Sequence, residues 1–327
     1  MSRLMGLAFV AWLVAIASPT TVPAANANWP KSLTLTTASP GGIYYVYGEE
    51  LAKILTEKVG VTVNPLPTQG SIQNVKLLES GGAQLGLITM STGLEGWNGA
   101  GDWTGGKKFR NIRALLPMYD NPFQAVVLKR SGITTIAQLD GKRIGVGPRS
   151  GNGATYGPII FKIAAISPEL SYGSYNDIAA ELLAGRVDAL VTLLGAPVPA
   201  IQEVDGKEAV TFLGLTTEQI DAIRKQIPEF GPAKIAAGTY RLLDKDYVTV
   251  GVPNFVIGQA DLPEDLIYQL VKAVFENQPR LLKVTSAARD TLPQHVVKNT
   301  FLPFHPGAVR YYREIGISLP DSLSVSN

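Results

Sequence analysis

From Leu33 onward the chain alternates extended and helical periodicities, and no other feature narrows its fold so far. Leu33-Thr34-Leu35-Thr36-Thr37 alternates apolar and polar residues, the period of a half-buried strand. A turn of small residues follows, Ala38-Ser39-Pro40-Gly41-Gly42, and Tyr45, Leu51, Ala52, Leu55 and Val59 then recur at helical spacing. Val61-Thr62-Val63 predicts a second strand, and residues 71–80 a second helix with Ile72, Val75 and Leu78 on one side. Gln84-Leu85-Gly86-Leu87-Ile88-Thr89 predicts a third strand. Strands separated by helices pair mainly in parallel, through right-handed crossovers.

The pattern then restarts. Residues 136–139 read as a short helical turn, 141–147 as turn plus strand, and the stretch after loop 148–153 as a helix reaching residue 165. Residues 177–184 give another helix, with Ile178 and Leu182 in register, leading into the strand Asp188-Ala189-Leu190-Val191-Thr192. The echo is of architecture; no tandem sequence repeat accompanies it. Two apolar extended runs lie where the chain can pass between such units. They are Phe123-Gln124-Ala125-Val126-Val127-Leu128 and Val248-Thr249-Val250-Gly251-Val252, the latter continuing through Phe255-Val256-Ile257. An amphipathic helix follows over residues 263–277, with Leu266, Ile267, Leu270, Val271, Val274 and Phe275 inward. The sequence therefore predicts an α/β protein of two lobes joined by two crossing strands. Lobe 1 takes residues 28–124 and 255–327, and lobe 2 takes residues 125–254. Two crossings make a hinge, and a hinged cleft can close on a ligand.

Residues 1–27 carry one charge, Arg3, then the apolar run from Leu4 to Ala17, and end in Ala25-Asn26-Ala27. A basic start, an apolar middle and a small-x-small end describe a cleavable secretory signal, and the run falls short of the roughly 20 residues that span a bilayer. The expected location is periplasmic, without a lipid anchor, because the chain has no cysteine to carry one. With 29 basic and 27 acidic side chains no nucleic-acid surface is expected. Two histidines and no cysteine leave no expected metal site, and no cofactor is implied. The sequence has no Gly-x-Ser-x-Gly elbow and no phosphate loop. A monomer is expected.

In an open parallel sheet, ligands sit beyond the C-terminal strand ends, where helix N-termini present unpaired N–H groups. The loop after the first strand offers Gly42, Tyr44 and Tyr45; the next, Thr68-Gln69-Gly70-Ser71-Ile72-Gln73-Asn74, offers Gly70, Ser71 and Asn74. In the second unit, Gly147-Pro148-Arg149-Ser150-Gly151-Asn152-Gly153-Ala154-Thr155 offers Arg149, Ser150 and Gly151. Thr192-Leu193-Leu194-Gly195-Ala196-Pro197 offers Gly195 and Pro197. The glycines equally suit turns of positive φ, and Ser71 equally suits a helix N-cap. Arg149, the cation of these loops, suits a carboxylate and equally suits solvent.

These residues, in order, resemble a known family. The motifs are Gly41-Gly42-Ile43-Tyr44-Tyr45, Gln69-Gly70-Ser71-Ile72-Gln73-Asn74-Val75-Lys76-Leu77-Leu78-Glu79-Ser80-Gly81, Ser131-Gly132-Ile133 with Asp140-Gly141-Lys142-Arg143, Gly185-Arg186-Val187-Asp188-Ala189, Gly195-Ala196-Pro197, and Pro303-Phe304-His305-Pro306-Gly307-Ala308-Val309-Arg310-Tyr311-Tyr312-Arg313-Glu314. Over the whole mature chain they resemble the TAXI-type solute-binding receptors of TRAP (tripartite ATP-independent periplasmic) transporters. The resemblance implies a type II periplasmic-binding-protein fold. It also implies capture of a small organic anion or zwitterion, a glutamate-like amino acid or a dicarboxylate or oxoacid, and its delivery to an integral membrane TRAP permease. The chain departs from the family at Tyr119-Asp120-Asn121-Pro122-Phe123-Gln124, where many members carry glutamate and histidine, and at Thr89-Met90-Ser91, where serine-aspartate is usual. Asp120 and Thr89 are the candidates at those places, and together with Arg149 they favour an acid without an amine. Two alternatives remain: an exported enzyme with Asp120 or Glu95 as general base, and a receptor for an ATP-driven (ABC) importer. His295 and His305 lie far along the chain from the loops, and His305 is expected to fix the start of the last helix.

Overall fold

The computed structural model describes residues 28–324, so the secretory signal expected over residues 1–27 lies outside the described residues. In chain order the elements are β1 (Ser32–Thr36), α1 (Ile43–Val59), β2 (Thr62–Leu66), α2 (Ser71–Glu79), β3 (Leu85–Thr89), α3 (Met90–Asn98) and β4 (Ile112–Leu128). The middle of the chain adds β5 (Arg143–Gly145), α4 (Asn152–Ile163), β6 (Glu169–Ser171), α5 (Tyr175–Leu183), β7 (Ala189–Leu193), α6 (Pro199–Lys207), β8 (Val210–Phe212) and α7 (Thr217–Gln226). Then come β9 (Gly231–Ile235), β10 (Tyr247–Gln259), α8 (Glu264–Glu276), α9 (Gln278–Val284) and α10 (Pro306–Glu314).

Strand order is β2-β1-β3-β10-β4-β7-β5-β6, with β8 added to β4 and β9 to β10. β1 runs parallel to β2 and β3, and β5 parallel to β6 and β7, as crossover helices require. The long strands β4 and β10 run antiparallel to each other and to their neighbours. They are the two crossings. The early part of β4 pairs with β10, while Phe123 onward pairs with β7. The register between β4 and β10 shifts between Pro253 and Phe255 and again between Val256 and Ile257. Prolines and register shifts belong where a strand bends or leaves its partner.

Apolar side chains fall into separate clusters on the two sides of these crossings. One gathers residues such as Leu35, Tyr47, Leu87, Leu116, Phe255, Ile267 and Phe304. Two others gather Phe123, Val146, Ile160 and Val252, and Val126, Ile178, Leu190 and Tyr247. The expected architecture of two α/β lobes on two crossing strands is the observed one.

Local signals explain most element starts. α5 begins at Tyr175, two residues before the expected start, because the Ser174 hydroxyl accepts from the Asp177 N–H at 3.1 Å and closes a capping box. α8 buries Leu266, Ile267, Leu270, Val271 and Val274 as its spacing predicts, and Phe275 stacks on Tyr311 of α10 with centroids 5.7 Å apart. His305 caps α10, its Nδ1 accepting from the Gly307 N–H at 3.2 Å. β4 is the main departure. Its apolar run reads as a strand only from Phe123, yet the strand starts at Ile112, because pairing with β10 carries Pro117, Asp120, Asn121 and Pro122 within it. Tertiary pairing overrides the turn propensity of those residues.

Candidate functional site

The strand-to-helix loops of the two lobes meet along one seam. Gly70, the N-cap of α2, has φ +120°, and a methyl group added to it would stand 3.2 Å from both the Cα of Gly151 and the carbonyl oxygen of Ser150. A methyl on Gly41 would stand 2.3 Å from Asn176 Oδ1, and the Gly41 carbonyl accepts from the Ala200 N–H at 3.3 Å. Only glycine permits such approach of backbone to backbone. Side chains cross the seam too. Thr89 Oγ1 donates to Asn152 Oδ1 at 3.2 Å, and the Tyr156 hydroxyl donates to Glu95 Oε1 at 3.1 Å.

The seam is lined by hydroxyl, phenol and amide groups. On the first lobe Tyr44 and Asn121 Nδ2 both donate to Asn254 Oδ1, the latter at 2.9 Å. Ser71 Oγ accepts from the Thr89 N–H at 3.1 Å. Across the seam Asn152 Nδ2 donates to the Leu193 carbonyl at 3.3 Å. Among the described residues Ser39 Oγ, Tyr119 Oη and Asn121 Oδ1 are buried here without a hydrogen-bond partner in the protein. Ser39 lies in the loop between β1 and α1, whereas Tyr119 and Asn121 lie within β4. Burial pushes the phenols of Tyr44 and Tyr119 far above their ordinary value. Tyr175 is pushed up to about 12 by the same cause, with Thr192 and the Gly153 backbone pulling the other way. All three therefore stay protonated and neutral at physiological pH.

The structure brings most, and not all, of the expected residues to this seam. Gly42 caps α1 and lies against the Tyr175 ring, with a methyl group there 3.6 Å from the ring. Tyr44, Ser71 and Thr89 belong to the polar network just described, while Tyr45 is half-buried on α1. Gly151 caps α4 beside the half-buried Ser150. Gly195 packs so closely on Tyr119 and Ile43 that a Cβ would be 2.6 Å from the Tyr119 ring. Asn74 is consumed by the scaffold. Its amide donates to the carbonyls of Thr37 and Leu87 at 2.8 and 2.7 Å, and Thr68 donates to its oxygen at 2.7 Å.

Asp120 and Pro197 line a different space, an open cleft of about 680 Å³ beside the crossing strands, whose wall includes Tyr119. Both Asp120 oxygens accept from Lys298 Nζ at 2.8 Å, a partner that nothing in the sequence announces. Arg149 is exposed, its guanidinium 4.1 Å above the Tyr172 ring, and the structure does not bring it into the polar seam. The seam residues that the sequence pattern did not single out are Ser39, Ser91, Tyr119, Asn121, Asn152, Tyr175, Thr192 and Asn254. Ser39, Ser91, Asn152 and Thr192 stand near the strand ends and helix starts of the loops already named, and that position is the signal that marks them, whereas Tyr119 and Asn121 lie inside β4. Tyr175 and Asn254 read as ordinary core and strand residues.

Comparison with solved structures places the fold. The periplasmic binding protein BugD superposes with a TM-score of 0.58 at 12% identity, covering 88% of this chain and 99% of its own. A structure described as a periplasmic transporter superposes with a TM-score of 0.55 at 13% identity, covering 87% of this chain and 92% of its own. The chain thus has the bilobed type II periplasmic-binding-protein α/β fold that the motif resemblance implies. Residues 35–316 match the model of the NMT1-like family, and the chain belongs to that family.

Proposed function

We propose that this chain is an extracytoplasmic solute-binding receptor, which holds a small polar organic molecule between its two lobes and presents it to a membrane transporter. One observation carries the reading: the strand-to-helix loops of both lobes converge on one polar seam, where Gly70 faces Ser150 and Gly151 and the Thr89 hydroxyl donates to Asn152. A solute that touches both lobes favours the closed arrangement by its differential affinity for that state.

The enzyme reading needs a free general base, and neither candidate is free. Asp120 is paired with Lys298, and the Glu95 oxygens accept from Trp103 Nε1 at 2.6 Å and from Tyr156 at 3.1 Å. The expected secretory signal, the fold and the family support a periplasmic location. The ordered sequence motifs favour a TRAP-type permease as partner. An ABC importer is the second reading, since receptors on this fold also feed ATP-driven transport. Calorimetry and mass spectrometry of the purified mature chain test the proposal: a solute bound with a single site and recovered unchanged is expected, and turnover of that solute would overturn it. Reconstituted uptake driven by an ion gradient supports the TRAP partner, whereas uptake that needs ATP assigns the importer.

A further inference from the structure

Along the seam the lobes meet by direct contact, and beside it they share an open space. That space is the cleft of about 680 Å³ at the crossing strands, walled by Asp120, Ser286, Arg289 and Asp290 from one lobe and by Gln202 and residues 232–239 from the other. We infer that the cleft takes a short peptide with free termini. The inference rests on the receptor reading above and narrows its solute to peptides, in place of single amino acids or dicarboxylates.

The walls carry charge of both signs and sum to none. Asp120 is neutralised by Lys298 at 2.8 Å, and Lys234 by Asp246 at 2.7 Å. The exposed Arg289 guanidinium has no partner among the described residues. Asp290, next to it, accepts from His295 Nδ1 at 2.8 Å through its main-chain carbonyl and leaves its carboxylate free. A guanidinium suits a terminal carboxylate, and the acidic side chains beside it suit an ammonium and repel a second carboxylate. Walls of this kind select a zwitterion over a dianion. The volume falls within the roughly 300–1,000 Å³ of sites that enclose drug-sized ligands, more than a single amino acid needs.

The amide bonds of a peptide find partners of their own. β9 pairs with β10 alone, Pro232 opposite Val250 and Lys234 opposite Val248. Pro232 has no N–H to give, so its place in the ladder turns its main-chain groups away from β10, and strand alternation turns those of Lys234 the same way. Both residues are exposed and line the cleft. The Lys234 N–H and the two carbonyls thus form an open strand edge with which an extended peptide can pair, while Pro232 keeps that edge from zipping onto a longer strand. Ala233, Ala236, Ala237 and Gly238 are small enough for a backbone to approach. A free amino acid or a dicarboxylate has no amide to offer this edge.

Native mass spectrometry of the mature chain against a mixture of tripeptides of varied sequence selects a binder, and any solute co-purified from an exporting host is read in the same way. Calorimetry then compares that peptide with its constituent amino acids, glutamate, succinate, its C-terminal amide and its analogue N-methylated at the central amide. The intact peptide should bind at least about tenfold more tightly than any free amino acid or succinate, with about tenfold lost on amidation and again on N-methylation. Arg289→Gln should weaken the peptide by about tenfold yet leave the affinity of the amide as in the native chain, with the unfolding midpoint in place. A free amino acid or dicarboxylate that binds more tightly than every tripeptide overturns this inference and leaves the receptor reading standing. An equal loss on amidation in the native chain and in Arg289→Gln does the same. Absence of any bound or co-purified solute overturns the receptor reading together with the inference.

Discussion

His305 carries a role at the scale of one residue that can be followed by titration. Its Nδ1 accepts from the Gly307 N–H, and its Nε2 donates to the Leu262 carbonyl at 3.0 Å, so the ring is neutral with its proton on Nε2. Burial pushes its pKa from 6.5 down to about 4, with the Leu262 carbonyl and Asp261 pulling up and Arg113 adding to the depression. A base with a depressed folded-state pKa contributes no penalty above the unfolded value. As pH falls below 6.5 the unfolded ring takes up a proton that the folded ring refuses until about pH 4, so stability falls across that window. From the relation of about 1.4 kcal/mol per pH unit, the loss at about pH 5.5 is on the order of 1–2 kcal/mol. His305→Asn keeps a capping oxygen and cannot titrate. Urea unfolding near neutrality and at the lower pH should therefore show a smaller loss for the variant, and equal losses would remove His305 as the titrating group. A lone histidine beside Pro306 signalled a helix start in the sequence; its depressed pKa did not show there, since it is set by burial in the fold and by Leu262 and Arg113 from distant segments.

Among the elements, the helix starts control how closely the lobes meet. Gly70 (φ +120°) and Gly132 (φ +69°) both sit in backbone that side chains rarely adopt, but only Gly70 has the other lobe against it. Gly70→Ala and Gly132→Ala should each cost about 1–3 kcal/mol of stability from backbone strain. Gly70→Ala alone should also weaken solute binding, by at least about tenfold, because the methyl group separates the α2 and α4 starts. Calorimetry of both variants checks this, and equal binding in both would show that the approach at Gly70 is unrelated to closure. Glycine–glycine and Gln-Gly-Ser turns made these loops legible in the sequence, since few residues fit a strand end that turns into a helix. Asn74 was legible as polar and misleading as a ligand: its three hydrogen bonds tie the loops after β1 and β2 to β3.

Closure belongs to the whole molecule, and Tyr156 links its two halves through Glu95 and, at 3.4 Å, Thr92. Tyr156→Phe removes those bonds without removing the ring, which packs on Phe230 with centroids 5.3 Å apart. The variant should populate a more open arrangement, seen as a larger radius of gyration in small-angle scattering, and should need more solute to contract. An unchanged scattering profile with and without solute would show that this contact does not hold the lobes. What the sequence determined by itself was the local grammar: alternating strands and helices, caps, glycine turns and two apolar crossings, each set by the φ, ψ preferences and periodicity of neighbouring residues. Only the tertiary structure decided which polar groups end up without partners. Thr36 and Tyr119 both lie within strands, yet Thr36 donates to the Leu85 carbonyl while the Tyr119 phenol is buried without a partner. Arg149, prominent in the sequence, points away to Tyr172, and Asp120 meets a lysine 178 residues further on. Burial and hydrogen-bond partners are properties of segments brought together across the fold, and no local pattern records them.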